Sequence, residues 1–417
     1  MANKSQKVKM VNKETMVVGL DIGKGSHYGY FRAPDGQDSI PFEFHNHRDS
    51  FNQFWQKLCR FKSNHGLKEV LIGFESTGPY AEPILHFLRQ QPVKLVQINP
   101  MHTKRVKELT GNSPNKTDRK DPRVIVDVMM LGHSLTVVVP EGASAHLRRL
   151  TQARERAVTD RTAMLNQLQH LLFIIFPEFL RVIKTVSSKT GLYLAGHYPT
   201  PDAIAALGLA ELSRVIKAVS CGRIGADRAD RLFQAARNSV GIVEGRDSIV
   251  TEIGYLVAQI EHANAFIVQL EGKMQQHLER IPYSGSLLSM RGIGVITAAG
   301  LIGEVGDFRK FSTISEITKL AGLDLFEVSS GKLKGQRHIS KRGRSLMRKL
   351  LYFAAINTVR SNGVMQYSYA RMLERGMPKM KALVAISRKL LAVMFALVRD
   401  QTAYIENYDH NCLQLAA

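Results

Sequence analysis

The alternation of apolar and polar positions divides the first third of the chain into strands and helices. Five strands are predicted from short apolar, β-branched runs at 15–23, 26–33, 39–46, 68–75 and 93–100. Helices are predicted between them near 48–63 and 80–90. A three-stranded meander followed by helix-linked parallel strands predicts a ribonuclease-H-like α/β fold. This section has no Gly-x-Gly-x-x-Gly motif, which would indicate a Rossmann domain.

The middle of the chain has helical periodicity. Apolar residues recur in alternating steps of four and three at Ile249, Ile253, Leu256, Ile260, Ala263, Ile267, Leu270 and Met274. Such a heptad seam needs a partner helix, as in a coiled coil. A second helix predicted at 144–176, ended by Pro177, could pair with it in the same chain or in another copy. The residues between these helices, 183–245, predict a small helical insert.

The last section, 281–400, is predicted to be mostly helical, with closing helices at 342–361 and 378–400. Gly292 and Gly294 separate two apolar helical segments, as in a helix-hairpin-helix motif, whose backbone N–H groups can face a phosphate. A glycine turn between two packed helices is the alternative interpretation. The fold class expected for the whole chain is therefore α/β plus α. Tails are expected at 1–14 and 401–417.

The charge of the chain favours a polyanionic partner. Lysine and arginine number 57 against 36 acidic residues, which gives a net charge of +21 and a pI near 9.9. An excess of this size is typical of nucleic-acid-binding proteins, although a basic enzyme of another kind would also account for it. The segment from Lys332 to Lys349 has eight basic and no acidic residues. The predicted nucleic-acid contacts are Lys332, Lys334, Arg337, Lys341, Arg342, Arg344, Gly292 and Gly294.

Cysteine usage and hydropathy predict a cytoplasmic protein without a membrane segment. The three cysteines have no Cys-x-x-Cys spacing, which argues against a disulfide framework or a zinc site. The longest apolar runs are too short to span a bilayer. The lysine-rich N-terminus has no hydrophobic segment behind it, so we do not expect a signal peptide.

Four acidic residues are candidates for metal-dependent chemistry. Asp21 and Glu75 end the first and fourth predicted strands, and Asp118 and Asp121 lie in the segment NKTDRKDPR. Mg²⁺ prefers hard carboxylate oxygens, and a two-metal site needs several of them from different elements. If strands one and four are neighbours, Asp21 and Glu75 meet at one edge of the sheet. Asp21 could instead be a turn residue, and Asp121 also fits a helix N-cap before Pro122.

Five motifs occur in an order that resembles a known family: GLDIGKGSH, GFESTGPY, NKTDRKDPR, RGIGVITAAGLIGEVGDFRKF and SSGKLKGQRHISKRG. Together they resemble the DEDD transposases of IS110-type insertion sequences, the bridge-RNA-guided recombinases, and the related Piv-type DNA invertases. The resemblance implies a RuvC-like domain at 15–133, coiled-coil helices at 140–280 and a transposase domain at 281–400. It matches the acidic tetrad to Asp21, Glu75, Asp118 and Asp121, and a nucleophilic serine to Ser330.

The resemblance also implies cofactors and partners. These are Mg²⁺ or Mn²⁺, target and donor DNA, a structured bridge RNA, and a homo-oligomer between dimer and tetramer with composite active sites. The chain departs from the family pattern at Pro122, where an alanine is usual, and in the length of the insert. Two other functions account for part of the pattern: a RuvC-like nuclease or junction resolvase that activates water, and a non-catalytic nucleic-acid-binding protein.

Overall fold

The computed structural model describes residues 11–75, 78–110, 121–132, 135–136, 140–327, 335, 337–361 and 363–406. The chain divides into two compact units, Met1–Val138 and Val139–Ala417. The elements of the first unit are the strands Thr15–Ile22 (β1), Ser26–Arg32 (β2), Phe42–His45 (β3), Glu69–Glu75 (β4), Lys94–Ile98 (β5) and Leu135–Thr136 (β6), and the helices Arg48–Asn64 (α1), Glu82–Leu88 (α2), Pro100–Thr110 (α3) and Asp121–Met130 (α4).

The strands of the first unit form one sheet in the order β3-β2-β1-β4-β5-β6. Strands β1, β2 and β3 pair antiparallel, β4 and β5 run parallel to β1, and β6 pairs antiparallel with β5. The predicted meander is confirmed, and the first and fourth strands are neighbours, which is the condition under which Asp21 and Glu75 were expected to meet. This topology is compatible with a ribonuclease-H-like domain.

The two faces of the sheet pack against different helices. Met16, Val18 and Leu20 alternate along β1 and lie in a core with residues of α1 and α2. Val17 points to the opposite face, where α4 contributes Ile125 and other apolar residues to a second core. Because side chains alternate along a strand, residues 17, 19 and 21 all point toward the α4 face.

The second unit is mostly helical. Its helices are Gly142–Ile175 (α5), Pro177–Val182 (α6), Lys189–His197 (α7), Pro201–Val219 (α8), Ala226–Arg237 (α9), Arg246–Leu278 (α10), Ser284–Leu288 (α11), Val295–Val305 (α12), Ile314–Ala321 (α13), Ser345–Thr358 (α14), Val364–Glu374 (α15) and Lys379–Asp400 (α16), and its strands are Leu325–Glu327 (β7) and Arg337–Ile339 (β8). No helix within the described ranges has the length and apolarity needed to cross a bilayer.

The two long helices α5 and α10 pair with each other inside the chain. Six residues of the predicted heptad seam are buried on α10: Ile253, Leu256, Ile260, Ile267, Leu270 and Met274. Polar contacts between the two helices flank the seam: Arg154 Nε to Glu271 Oε1 at 2.7 Å, and Arg161 Nη1 to Asn264 Oδ1 at 2.9 Å. The apolar faces of α5 and α10 are thus buried against each other within one chain, and a second chain is not needed to remove them from water.

The ends of the α5–α10 pair belong to two separate cores. One core joins Leu147 and Met274 to α12, α14 and α16. The other joins Leu168 and Ile253 to α6 and to α7–α9, the three helices that lie within residues 183–245, the range of the predicted insert. The sequence pattern did not predict α3, α13, α15 or the β7–β8 hairpin, and the structure adds them.

Candidate active site

Asp21 and Glu75 occupy matched positions at the ends of two neighbouring parallel strands. The register of β1 and β4 pairs Leu20 with Phe74, so Asp21 and Glu75 come next along their strands. Register-matched residues of parallel strands point to the same face of a sheet. Both carboxylates therefore project toward the face that α4 covers, and both side chains are half-buried.

Helix α4 begins at Asp121 and lies directly on the sheet. A Cβ added at Gly19 would collide with the carbonyl oxygen of Pro122, and one added at Gly73 would collide with the sulfur of Met129. The absence of side chains at these two glycines thus permits close contact between helix and strands. The carbonyl oxygen of Pro122 lies over Gly19, two residues before Asp21 on β1, and Asp121 directly precedes Pro122 in the chain.

Helix α3 contacts two of these carboxylates with side chains one turn apart. The hydroxyl of Thr103 donates a hydrogen bond to Glu75 Oε1, and Thr103 is 3% exposed. Lys107 Nζ lies 2.7 Å from Asp121 Oδ1. Sequence reasoning missed both residues because it did not predict α3. The available signal was Asn99-Pro100 after a strand, since Asn99 Oδ1 accepts a hydrogen bond from the Met101 N–H at the start of the helix.

An open pocket lies beside Asp21. It is lined by Asp21, Gly23, Lys24, Gly25, Ser26 and Tyr28. Tyr28 is the cross-strand partner of Asp21 on β2, and the turn that contains Lys24 joins the two strands. A lysine, a serine and a tyrosine next to a carboxylate can bind an anionic group, which a phosphate provides.

The donor set of this region suits a hard divalent cation. Asp21, Glu75 and Asp121 all offer carboxylate oxygens, the ligands that Mg²⁺ and Mn²⁺ accept. Asp118 lies outside the described residues. Among the residues that are described, no three His, Cys, Asp or Glu side chains gather closely enough to hold an ion. The structure therefore brings Asp21 and Glu75 to one face and Asp121 to the helix that covers it.

The predicted serine and much of the basic segment also lie outside the described residues: Ser330, Lys332 and Lys334. The flanking parts form the β7–β8 hairpin, in which Phe326 pairs with His338. Arg337 is exposed and forms an ion pair with Glu327 at 3.0 Å. Lys341 and Arg342 follow on the surface, and Lys341 adopts a left-handed backbone conformation with φ of 55°. Both side chains can reach a polyanion.

Arg344 differs from its basic neighbours because its guanidinium is turned inward. Its Nη1 donates a hydrogen bond to the backbone oxygen of Glu304, and its Nε lies 3.9 Å from the buried Glu304 carboxylate. Arg148 approaches the same carboxylate at 4.0 Å. Burial lowers the pKa of Arg344 to about 10. Repulsion by the positive charge of Arg148 also lowers this pKa, whereas attraction to the negative charge of Glu304 raises it. This arginine anchors the end of the basic segment to α12.

Gly292 and Gly294 form the turn between α11 and α12. Gly292 has a positive φ of 84°, and a Cβ there would collide with the backbone and hydroxyl of Thr358. Gly294 is the N-terminal cap residue of α12 and contributes no side chain. Both glycines are exposed. The turn is thus held against α14 by Thr358, while the backbone at the start of α12 remains at the surface.

Comparison with known proteins identifies the class. Two family models match the chain, and both describe transposases. The first, a DEDD transposase model of IS110, covers residues 18–177, which include all four predicted acids. The second, described as transposase of the IS116/IS110/IS902 family, covers residues 285–370, which include Ser330. The chain belongs to the IS110 family of insertion-sequence transposases.

Individual relatives cover nearly the whole chain. An uncharacterized 43.6 kDa protein of insertion element IS110 from Streptomyces coelicolor is 25% identical over 93% of this chain and 95% of its own length. An uncharacterized 42 kDa protein of insertion element IS900 from Mycobacterium paratuberculosis is 27% identical over 93% of this chain and 96% of its own. A pilin gene-inverting protein of Moraxella lacunata is 29% identical over 36% of this chain and 48% of its own.

Proposed function

We propose that the protein is an RNA-guided DNA recombinase that cuts and rejoins strands through a covalent phosphoserine intermediate. The family establishes a DNA transposase of an insertion sequence. The observation that supports the catalytic part is the placement of Asp21 and Glu75 at matched strand ends, on the face covered by the helix that begins at Asp121. Acidic residues repel DNA unless a cation intervenes, so a purely binding role leaves this placement unexplained.

Asp21, Glu75, Asp118 and Asp121 would hold Mg²⁺ or Mn²⁺. When bound, the cation supplies Lewis-acid stabilisation of charge on a phosphate oxygen. The carboxylates would orient and neutralise the cation, and the pocket beside Asp21, which Lys24 and Tyr28 help to line, would bind the DNA backbone. Tetrad carboxylates thus serve the chemical step, while exposed lysines and arginines supply most of the affinity for nucleic acid.

Ser330 is the proposed nucleophile. Its Oγ forms a bond to the scissile phosphorus as the bond to the leaving deoxyribose oxygen breaks. The serine proton passes to a base or water, and the leaving oxygen is protonated. A serine hydroxyl is a weak nucleophile at its ordinary pKa and needs such activation. The phosphodiester energy is conserved in the serine ester, so that a hydroxyl of a new strand can reverse the step and complete the exchange.

The proposed partners follow from the family resemblance and the charge. The net charge of +21 suits simultaneous contact with DNA and a structured bridge RNA. Exposed basic residues at the ends of the hairpin, among them Arg337, Lys341 and Arg342, would contact phosphates. The active protein would be a dimer to tetramer in which the carboxylates of one protomer serve the serine of another.

One denaturing gel tests the proposal. Labelled target DNA, bridge RNA and Mg²⁺ are incubated with wild type and with the Asp21→Asn, Glu75→Gln, Ser330→Ala and Ser329→Ala variants. We expect a protein-linked DNA band in wild type and Ser329→Ala. The other three variants should lose strand cleavage by at least about 100-fold, because each lacks a group that acts in the chemical step. Nucleic-acid binding should persist in all five proteins.

The other outcomes distinguish the alternatives. Cleavage without any linked band in wild type and Ser330→Ala would support a nuclease that activates water. A protein-linked DNA band that is present with Ser330→Ala and absent with Ser329→Ala would identify Ser329, rather than Ser330, as the nucleophile. Cleavage at a wild-type rate in Asp21→Asn and Glu75→Gln would exclude these two carboxylates from catalysis.

A further inference from the structure

Helix α3 connects two carboxylates that the chain supplies from different elements. Glu75 ends β4, and Asp121 begins α4. Thr103 and Lys107 are four residues apart, so they lie on the same face of α3, one turn from each other. Thr103 binds the first carboxylate and Lys107 the second. One helix face thus holds both acids through specific polar contacts.

The Thr103 contact restricts the orientation of Glu75. Its hydroxyl oxygen lies within hydrogen-bonding distance of Glu75 Oε1 and, at 2.9 Å, of the Pro100 carbonyl oxygen. A hydroxyl has one proton, and a carboxylate is the stronger acceptor, so the proton lies toward Glu75. The buried position of Thr103 removes competing water. The second oxygen of Glu75 takes no part in this contact and can face a ligand.

The Lys107 contact supplies positive charge to Asp121. The ion pair is partly exposed, with the lysine side chain 40% and the aspartate side chain 21% accessible. A flexible ammonium group at this exposure binds weakly and can move away from the carboxylate. Since a divalent cation near Asp121 would repel Lys107, the lysine and the cation compete for the same carboxylate.

We propose that Thr103 and Lys107 are positioning residues with opposite effects on cation binding. Thr103 orients Glu75 and strengthens binding. Lys107 neutralises Asp121 before a cation is bound and weakens binding, which limits repulsion among the carboxylates in the cation-free protein. This inference rests on the proposed function, because it assumes that Glu75 and Asp121 are cation ligands.

The test is a calorimetric titration of the full-length protein with Mn²⁺. Thr103→Val removes the hydroxyl, and we expect about tenfold weaker binding, since hydrogen-bonding partners of metal ligands contribute about 10- to 100-fold in affinity. Lys107→Gln removes the competing charge, and we expect about three- to tenfold tighter binding. Lys104→Gln is the matched control, because Lys104 is exposed on the same helix. It should bind Mn²⁺ as wild type does.

Conservative variants distinguish a role of Thr103 and Lys107 in positioning the carboxylates from a role in folding. Thr103→Ser keeps the hydroxyl and Lys107→Arg keeps the charge, so both should bind Mn²⁺ like wild type even if Thr103→Val proves unstable. Equal affinities of wild type, Thr103→Val and Lys107→Gln would overturn the inference, as would a change of the same sign in both variants. An Asp21→Asn variant that binds Mn²⁺ as well as wild type would instead count against the proposed metal centre itself.

Discussion

His27 is a titratable side chain inside the apolar core of the first unit. Its ring is fully buried, with the ring of Phe44 edge-on at 5.1 Å and that of Phe51 stacked at 6.2 Å. Burial lowers the pKa of His27. A side-chain hydrogen bond with Asn46 raises this pKa, and electrostatic repulsion by His45 lowers it further. The folded protein therefore favours the neutral imidazole, because a buried charge without a partner is costly.

The stability of the first unit should decrease as the pH falls below about 6.5, the ordinary pKa of histidine. The unfolded chain takes up a proton at His27 in this range while the folded chain resists, so the unfolded state binds more protons. Stability is fully retained above that pH. The loss attributable to His27 is at most about 1.4 kcal/mol per pH unit.

Urea unfolding between about pH 7.5 and pH 5.5 measures this effect. The single tryptophan, Trp55, packs against the same core and reports on this unit by its fluorescence. We expect His27→Leu to have a smaller pH dependence than wild type. His86→Gln, at an exposed position of the same unit, should keep the wild-type dependence. If the free energy of unfolding depended equally on pH in wild type and His27→Leu, His27 would not be the source of the pH dependence.

The position of α4 on the sheet depends on two glycines in neighbouring strands. Gly19→Ala would drive a methyl group into the carbonyl oxygen of Pro122, which belongs to the helix backbone. Gly73→Ala would drive one into the sulfur of Met129, which is part of a flexible side chain. The same chemical change therefore meets a rigid obstacle at one glycine and a movable one at the other.

We expect Gly19→Ala to lower the free energy of unfolding by about 2 to 3 kcal/mol and Gly73→Ala by less than about 1.5 kcal/mol. Gly19→Ala should also weaken Mn²⁺ binding, because a shift of Pro122 displaces Asp121. Trp55 fluorescence in urea measures stability, and calorimetry measures binding. The control compares Met129→Ala with Gly73→Ala/Met129→Ala: because Met129→Ala has already removed the obstacle, adding Gly73→Ala should cause no further loss of stability. A larger loss in Gly73→Ala than in Gly19→Ala would show that α4 itself can shift over Gly19.

The basic residues of the protein fall into two groups, those whose side chains can reach a polyanion and those whose side chains are turned inward. Arg342 is exposed, whereas Arg344, two positions later, is directed at the buried Glu304. Only exposed cations exchange small counterions for phosphates on binding. Two arginines from one basic segment should thus contribute to different properties.

A matched pair of variants tests this division. Arg342→Gln should reduce the slope of log affinity for DNA against log salt concentration by about 1 and leave stability unchanged. Arg344→Gln should leave the slope unchanged and destabilise the second unit by about 1 to 3 kcal/mol, because a hydrogen bond and a nearby positive charge at Glu304 are lost. Fluorescence anisotropy across a salt series measures the slopes, and helical circular dichroism in urea measures stability. If only Arg344→Gln reduced the salt dependence of DNA affinity, Arg344 and not Arg342 would be the arginine that contacts phosphate.

The sequence predicted the elements whose burial is regular. Strands β1 to β5 and helices α5, α10 and α16 have apolar positions at periods of two or about 3.6, so their positions could be inferred within a few residues. Helix α3 was missed because one of its faces carries Thr103 and Lys107, which serve polar contacts. The β7–β8 hairpin was missed because Leu325 and Phe326 are exposed and the strands are short.

Local sequence patterns were enough to predict the order of the regularly buried strands and helices, the carboxylates at strand ends and the excess of positive charge. These follow from the local pattern of residues, since burial periodicity and charge are properties of short segments. The pairs of side chains that meet are set by long-range packing: it places Asp21 and Glu75 on one face, forms the contacts of Thr103 and Lys107, and turns Arg344 inward. Such pairs depend on strand register and on the close approach of two backbone segments at Gly19. Both bring together residues that are far apart in the chain, so no local periodicity in the sequence reveals them.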